Sequence, residues 1–111
     1  MQRDNALLYD MLESAELAAT YLQGITKEDF QNGVQLQDAV IRRIEIIGEA
    51  AARLSEATKM SFPTLPWQDM TDMRNFLIHQ YGDVDSDIVW DTVKHDLPLL
   101  IAELKRTVDS E

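Results

Sequence analysis

The chain has 111 residues, no cysteine and a formal net charge of −10, with 20 acidic residues against 10 basic ones. This composition excludes disulfides and thiolate metal sites, and it disfavours sequence-blind adhesion to nucleic acid, which needs a broad basic surface; a small local cluster of arginines that binds a few phosphates is still allowed. The length fits one domain with a single core, assigned to residues 1–111.

The apolar residues follow a helical spacing of three and four along almost the whole chain. The first helix is predicted to end at Gly24, and a short turn capped by Thr26 and Asp29 is predicted to follow. A long second helix is predicted from about Val34 to Thr58. Its core stripe comprises Leu36, Val40, Ile44, Ile47, Ala51 and Leu54.

The segment SFPTLPW interrupts the helical pattern because its two prolines lack donors and disfavour helix before them. A third helix is predicted to begin near Pro66 or Trp67 and to end at Gly82. Asp85 or Ser86 can cap a fourth helix, which is predicted to reach about Thr107 with a kink or break at Pro98. The pattern therefore predicts an all-α, antiparallel bundle of four main helices.

The second helix carries a continuous polar stripe, most simply a solvated face, formed by Gln35, Asp38, Arg42, Glu45, Glu49 and Arg53. The pairs Asp38–Arg42 and Glu49–Arg53 have the spacing of i,i+4 ion pairs. Gly48 lies in the middle of the helix, where glycine is unfavourable, and so predicts close approach by another helix or another chain. Dimerisation through this helix is one such arrangement.

The third helix contains the stretch RNFLIHQYGDVD, which sets Arg74, Asn75, His79 and Tyr81 among apolar residues. A helix advances about 100° per residue, so Arg74 and Tyr81 lie on nearly the same side, whereas His79 lies roughly 140° from Arg74. One straight helix therefore does not direct all these groups to one point. Either a cleft is assembled from more than one chain, or the last turn before Gly82 departs from ideal geometry.

These residue types suit cleavage of RNA through its own 2′-hydroxyl. The planar fork of Arg74 matches phosphate geometry, and His79 can accept or return a proton. Tyr81 adds a hydroxyl donor and an aromatic face for a base. This chemistry requires no metal, and the two histidines form no recognisable ligand pattern, although acidic residues could still hold Mg²⁺ weakly. We therefore expect no cofactor.

Each of these residues also has a purely structural interpretation. Arg74 can pair with Asp72 or with an acidic residue of the second helix. His79 can be a core or capping histidine that complements the helix dipole, and Tyr81 falls on an apolar stripe. His95 is assigned a structural role, because few basic or aromatic residues lie near it in the sequence. Spacing alone leaves function open.

The residues around Arg74 favour one of these interpretations. Arg74, His79 and Tyr81 spell R-x4-H-x-Y, with Asn75 directly after the arginine. This pattern resembles the signature of the HEPN superfamily. The segments QDAVIRRIEIIGEAAARLS, PW, MRNFLIHQYGDVD and DIVWDTVKHDLP resemble its HepT-like branch, and the resemblance runs from about Asp4 to Lys105.

The resemblance implies an all-α homodimer whose motif helices face each other across a cleft. It also implies a metal-independent ribonuclease toxin of a type II toxin–antitoxin pair, with RNA such as tRNA or mRNA as substrate and a minimal nucleotidyltransferase antitoxin as partner. Carried over by residue, Arg74 and His79 would be catalytic and Asn75 supporting. Tyr81 would bind substrate and be the site of adenylylation by the antitoxin.

Two other classes of function are compatible with the same residues. A non-catalytic module could bind a nucleotide phosphate through Arg74 and dock a nucleotidyltransferase, and a purely structural helical adaptor would tolerate substitution of Arg74 and His79. The first twenty residues lack the basic start and apolar core of a secretory signal, and no apolar run approaches a membrane span. We therefore expect a soluble cytoplasmic protein with no membrane partner.

Overall fold

A computed structural model describes residues 2–79 and 85–109, and every regular element within these ranges is helical. The prediction of an all-α bundle is confirmed. The elements, in chain order, are α1 (Gln2–Tyr21), α2 (Lys27–Asn32), α3 (Val34–Arg53), α4 (Glu56–Met60), α5 (Trp67–His79), α6 (Ser86–Asp91), a π-helical turn (Thr92–Asp96) and α7 (Leu97–Asp109).

Helix α3 is the centre of the bundle. It packs against α1 and against α5, while α1 also packs against α7. The predicted core stripe of α3 is buried at every position except Leu36, which is partly buried against the same core. Because α5 is held mainly by α3, the face of α3 beneath it determines where the RNFLIH segment of α5 lies.

The predicted second helix is divided into two helices, because α3 ends at Arg53 and α4 begins at Glu56. Ser55 is the N-cap of α4, and its Oγ accepts a hydrogen bond from the Thr58 backbone N–H at 3.2 Å. The hydroxyls of Ser55 and Thr58 both donate to Asp4 Oδ2 of α1, at 2.6 and 2.5 Å. A contact with α1 therefore stabilises the break, which the apolar spacing of α3 could not reveal.

Asp4 makes the stability of this junction depend on pH. Asp4 as a residue is 3% exposed, and hydrogen bonds from Ser55 and then Thr58 hold the pKa of its carboxyl below the ordinary value. A carboxyl with a lowered folded-state pKa stabilises the fold above its unfolded pKa, and this stabilisation is lost as the pH falls through the folded pKa.

We expect Asp4→Asn to destabilise the protein at neutral pH and to remove one component of its acid sensitivity. Asparagine has the same shape but carries no charge to titrate, and its oxygen accepts weaker hydrogen bonds from the two hydroxyls. Urea unfolding of both proteins checks this: the difference in unfolding free energy should shrink as the pH is lowered from about 4. A difference independent of pH would contradict it.

The other predicted boundaries agree with the structure where it describes them. Gly24 follows α1 with a φ of +76°, which glycine adopts without a steric penalty, and Thr26 Oγ1 accepts from the Asp29 N–H at 3.0 Å. Asp85 caps α6 by accepting from the Asp87 N–H at 2.9 Å. Helix α5 begins at Trp67, one of the two predicted starts, whereas its predicted end at Gly82 lies outside the described residues.

The predicted irregularity at Pro98 takes the form of a π-helical turn at Thr92–Asp96, just before the proline. There the Leu97 N–H donates to the Thr92 carbonyl, five residues earlier. Pro98 has no N–H, and in a regular helix its ring would crowd the carbonyl of Lys94. The wider turn is the local response to that crowding.

The polar stripe of α3 is a solvated face, with five of its six residues exposed and Glu45 partly exposed. The predicted i,i+4 ion pair between Asp38 and Arg42 is wrong. Nη1 of Arg42 instead lies 3.7 Å from Oε1 of Glu45, three residues further along α3. Among the helices that the structure describes, none combines the length and apolar character needed to cross a membrane.

Candidate active site on helix α5

Helix α5 crosses α3 at Gly48, which is buried. A Cβ atom on Gly48 would overlap Cβ of Arg74, and it would lie 2.9 Å from the carbonyl oxygen of Met70 and 3.0 Å from Cγ of Arg74. The predicted close approach is therefore made by another helix of the same chain. Gly48 consequently provides no argument for a dimer.

Arg74 lies partly exposed at this crossing, and its Nε is buried with no acceptor among the described residues. The structural interpretation required a carboxylate partner. Asp72 instead accepts from Gln68 Nε2 at 2.9 Å, and within the described part of the chain no acidic residue forms an ion pair with Arg74. A donor that is held in a fixed place without an acceptor is suited to bind an anion.

The remaining motif residues are placed only in part. Asn75 is exposed beside Arg74. His79 is the last residue of α5, which is α-helical throughout, so its backbone lies roughly 140° from Arg74 around the helix. The structure thus does not bring Arg74 and His79 to one face of α5. Tyr81, with the alternative of a distorted turn before Gly82, lies outside the described residues.

A cavity of about 200 Å³ lies between α5 and the start of α7, where Ile44 and Ile47 of α3 contribute to its lining. His95, assigned a structural role from the sequence, is exposed along this cavity rather than packed in the core. Neither Arg74 nor Asn75 lines it. In the part of the chain that the structure describes, no three acidic or histidine side chains cluster as metal ligands.

Comparison with known proteins decides the family. The model of the family described as "Ribonuclease HepT-like" matches residues 11–107, which include α5 and its motif. The chain belongs to the HepT-like ribonuclease family. No solved structure shows a significant match to this HepT-like chain.

Named relatives agree in length as well as in sequence. A protein of Methanocaldococcus jannaschii named "Putative RNase" is 39% identical over 100 residues, which cover 90% of this chain and 92% of that protein. The "Probable ribonuclease HepT" of Thermococcus cleftensis is 40% identical over 99 residues, covering 89% and 90%. A "Putative RNase" of Caldanaerobacter subterraneus is 32% identical over 111 residues, covering 100% and 99%.

The HepT-like motif could be recognised in the sequence, but the residues that surround Arg74 in the fold could not be predicted from it. Gly48 is 26 positions from Arg74. A glycine in mid-helix indicated that some other element packs closely against α3 there, but it did not indicate which element. No spacing rule joins two residues on different helices. The unpaired state of Arg74 Nε is likewise a tertiary property, because it depends on which acceptors α3 and α5 bring near it.

Proposed function

We propose that this HepT-like chain is a metal-independent endoribonuclease toxin that acts in the cytoplasm and cleaves RNA through the 2′-hydroxyl. The observation that carries the proposal is Arg74, whose buried Nε has no acceptor among the described residues, in a chain of a ribonuclease family. A phosphodiester supplies the missing acceptor and matches the guanidinium in geometry and charge.

The proposed reaction is an internal transesterification. The 2′-oxygen of RNA attacks the adjacent phosphorus, and the bond from phosphorus to the 5′-oxygen breaks. His79 takes the 2′-hydroxyl proton and a proton is returned to the leaving 5′-oxygen, so that no redox change or external nucleophile is needed. Arg74 binds the non-bridging oxygens, whose charge grows in the transition state, and Asn75 supports this contact.

Two copies of the chain assemble the site in this proposal. On a regular α5 the backbones of Arg74 and His79 lie roughly 140° apart, an arrangement that favours contact with one phosphate from two different protomers. A twofold dimer in which the two α5 helices face each other places Arg74 of one copy opposite His79 of the other. The active site is then a cleft between protomers.

A minimal nucleotidyltransferase antitoxin is the proposed partner and inhibitor. The Tyr81 hydroxyl would attack the α-phosphate of ATP, releasing pyrophosphate and a proton and leaving AMP on the tyrosine oxygen. The added phosphate is a bulky anion near the cleft, where it competes with RNA for Arg74. The positive charge with which Arg74 binds the RNA phosphate, its role as a phosphate clamp, would thus bind the phosphate of the modified tyrosine instead.

The purified protein should cleave RNA in excess EDTA and leave 2′,3′-cyclic phosphate and 5′-hydroxyl ends. Both ends follow from attack by the 2′-oxygen, and chelation removes no group that the reaction uses. End analysis by mass spectrometry of the fragments checks the expectation. Loss of cleavage on chelation would contradict the metal-free mechanism, and nucleotide binding without any cleavage would favour a non-catalytic docking module.

A further inference from the structure

Helices α3 and α5 cross so closely at position 48 that only glycine fits there. A Cβ there would meet Cβ and Cγ of Arg74 and also the backbone carbonyl of Met70. Real Cβ atoms essentially never come within 3.0 Å of such neighbours. Rotation of the Arg74 side chain cannot relieve the overlap, because Cβ of Arg74 and the Met70 oxygen move only with the helix.

A side chain at position 48 would therefore force α5 away from α3. The element that moves carries Arg74 on the contacting face, so its guanidinium moves as well. The buried Nε of Arg74 lies two bonds beyond the Cγ atom at this contact. Glycine in mid-helix is intrinsically less favourable than alanine, so local helix stability does not explain this residue, whereas the tertiary contact does.

We propose that Gly48 is a positioning residue for Arg74: its lack of a side chain sets the depth at which α5 lies on α3 and thereby the place of the phosphate clamp. The inference rests on the proposed function of Arg74, and it adds a residue outside the R-x4-H-x-Y motif to the site. Gly48 touches no substrate in this scheme and acts only through α5.

The test compares Gly48→Ala with Ala51→Gly. Ala51 is fully buried and lies one turn further along α3. Its replacement by glycine lowers helix stability and removes a methyl group, but it inserts nothing between the helices. The two variants therefore both perturb α3, and only one displaces α5.

Steady-state cleavage of a model RNA is measured for both, at a temperature where circular dichroism shows each protein folded. We expect Gly48→Ala to lower kcat by about 10²-fold, because misplacement of a catalytic group by ~1 Å has an effect of this size. The change in KM should be much smaller, since the clamp acts on charge that develops in the transition state. Ala51→Gly should keep kcat within about twofold of the wild type, the scatter allowed for a variant that leaves the catalytic group in place.

Arg74→Ala, measured in parallel, separates the two proposals. Loss of cleavage in Arg74→Ala together with a wild-type kcat in Gly48→Ala would overturn the inference about Gly48 alone. Full cleavage by Arg74→Ala would overturn the proposed function and this inference with it. Equal loss of kcat in Gly48→Ala and Ala51→Gly would indicate a general effect on α3 and would also overturn the positioning role.

A double variant keeps the inference testable if Gly48→Ala alone does not fold. Arg74→Gly removes the Cβ and Cγ atoms that would overlap the new methyl group. Glycine at position 74 also weakens α5, and the Met70 carbonyl stays in place, so the effect of Arg74→Gly is compared in two backgrounds. We expect Arg74→Gly to lower the melting temperature of Gly48→Ala clearly less than that of the wild type, or to raise it. An equal lowering of the melting temperature by Arg74→Gly in both backgrounds would show that positions 48 and 74 do not compete for the same space, which the inference requires.

Discussion

Replacing Arg74 with alanine is expected to lower kcat/KM for RNA cleavage by about 10² to 10³-fold, the usual effect of removing one preorganised donor to a developing anion. We expect no loss of folding stability. Arg74 Nε has no acceptor in the described part of the chain, so its removal leaves no partner among those residues unsatisfied. We therefore expect the midpoint of urea unfolding to stay the same or to rise.

Both quantities are measured on one preparation, by RNA cleavage and by urea unfolding. Arg74→Lys retains the charge but not the planar fork, so its activity should lie between those of the wild type and of Arg74→Ala. Arg106→Ala is the matched control, because Arg106 is an exposed arginine of α7 that pairs with Glu103. Loss of stability in Arg74→Ala without loss of cleavage would support the structural ion pair instead.

Mixing two inactive variants is expected to restore activity. If Arg74 of one protomer acts with His79 of the other, a heterodimer of Arg74→Ala and His79→Ala subunits has one intact site and one doubly damaged site. Random exchange makes half of the dimers mixed, so the mixture should recover up to about a quarter of wild-type cleavage. Each variant alone should lose about 10²-fold or more.

The measurement is RNA cleavage after the two variants are unfolded together and refolded. The control is each variant refolded alone, which shows that refolding itself restores nothing. Absence of recovery in a mixture shown to exchange subunits would place Arg74 and His79 in the same protomer's site. Expression of the variants in bacteria extends the test, because only the wild type should arrest growth.

The local features of the fold could be predicted because they depend on neighbouring residues. The caps at Thr26 and Asp85 and the start of α5 at Trp67 follow from side-chain oxygens and prolines close in sequence. The break at Ser55 could not be predicted in this way. Its carboxylate partner, Asp4, is 51 positions away on α1 and becomes a neighbour only when the helices pack.

The sequence by itself determined the helical class, most helix boundaries and the motif R-x4-H-x-Y, because periodicity and short motifs are properties of consecutive residues. Only the tertiary structure decided that Gly48 receives α5 of the same chain and that Arg74 Nε is buried without an acceptor among the described residues. Both depend on the depth at which two distant helices cross. That depth is the outcome of packing over the whole interface, which no local pattern encodes.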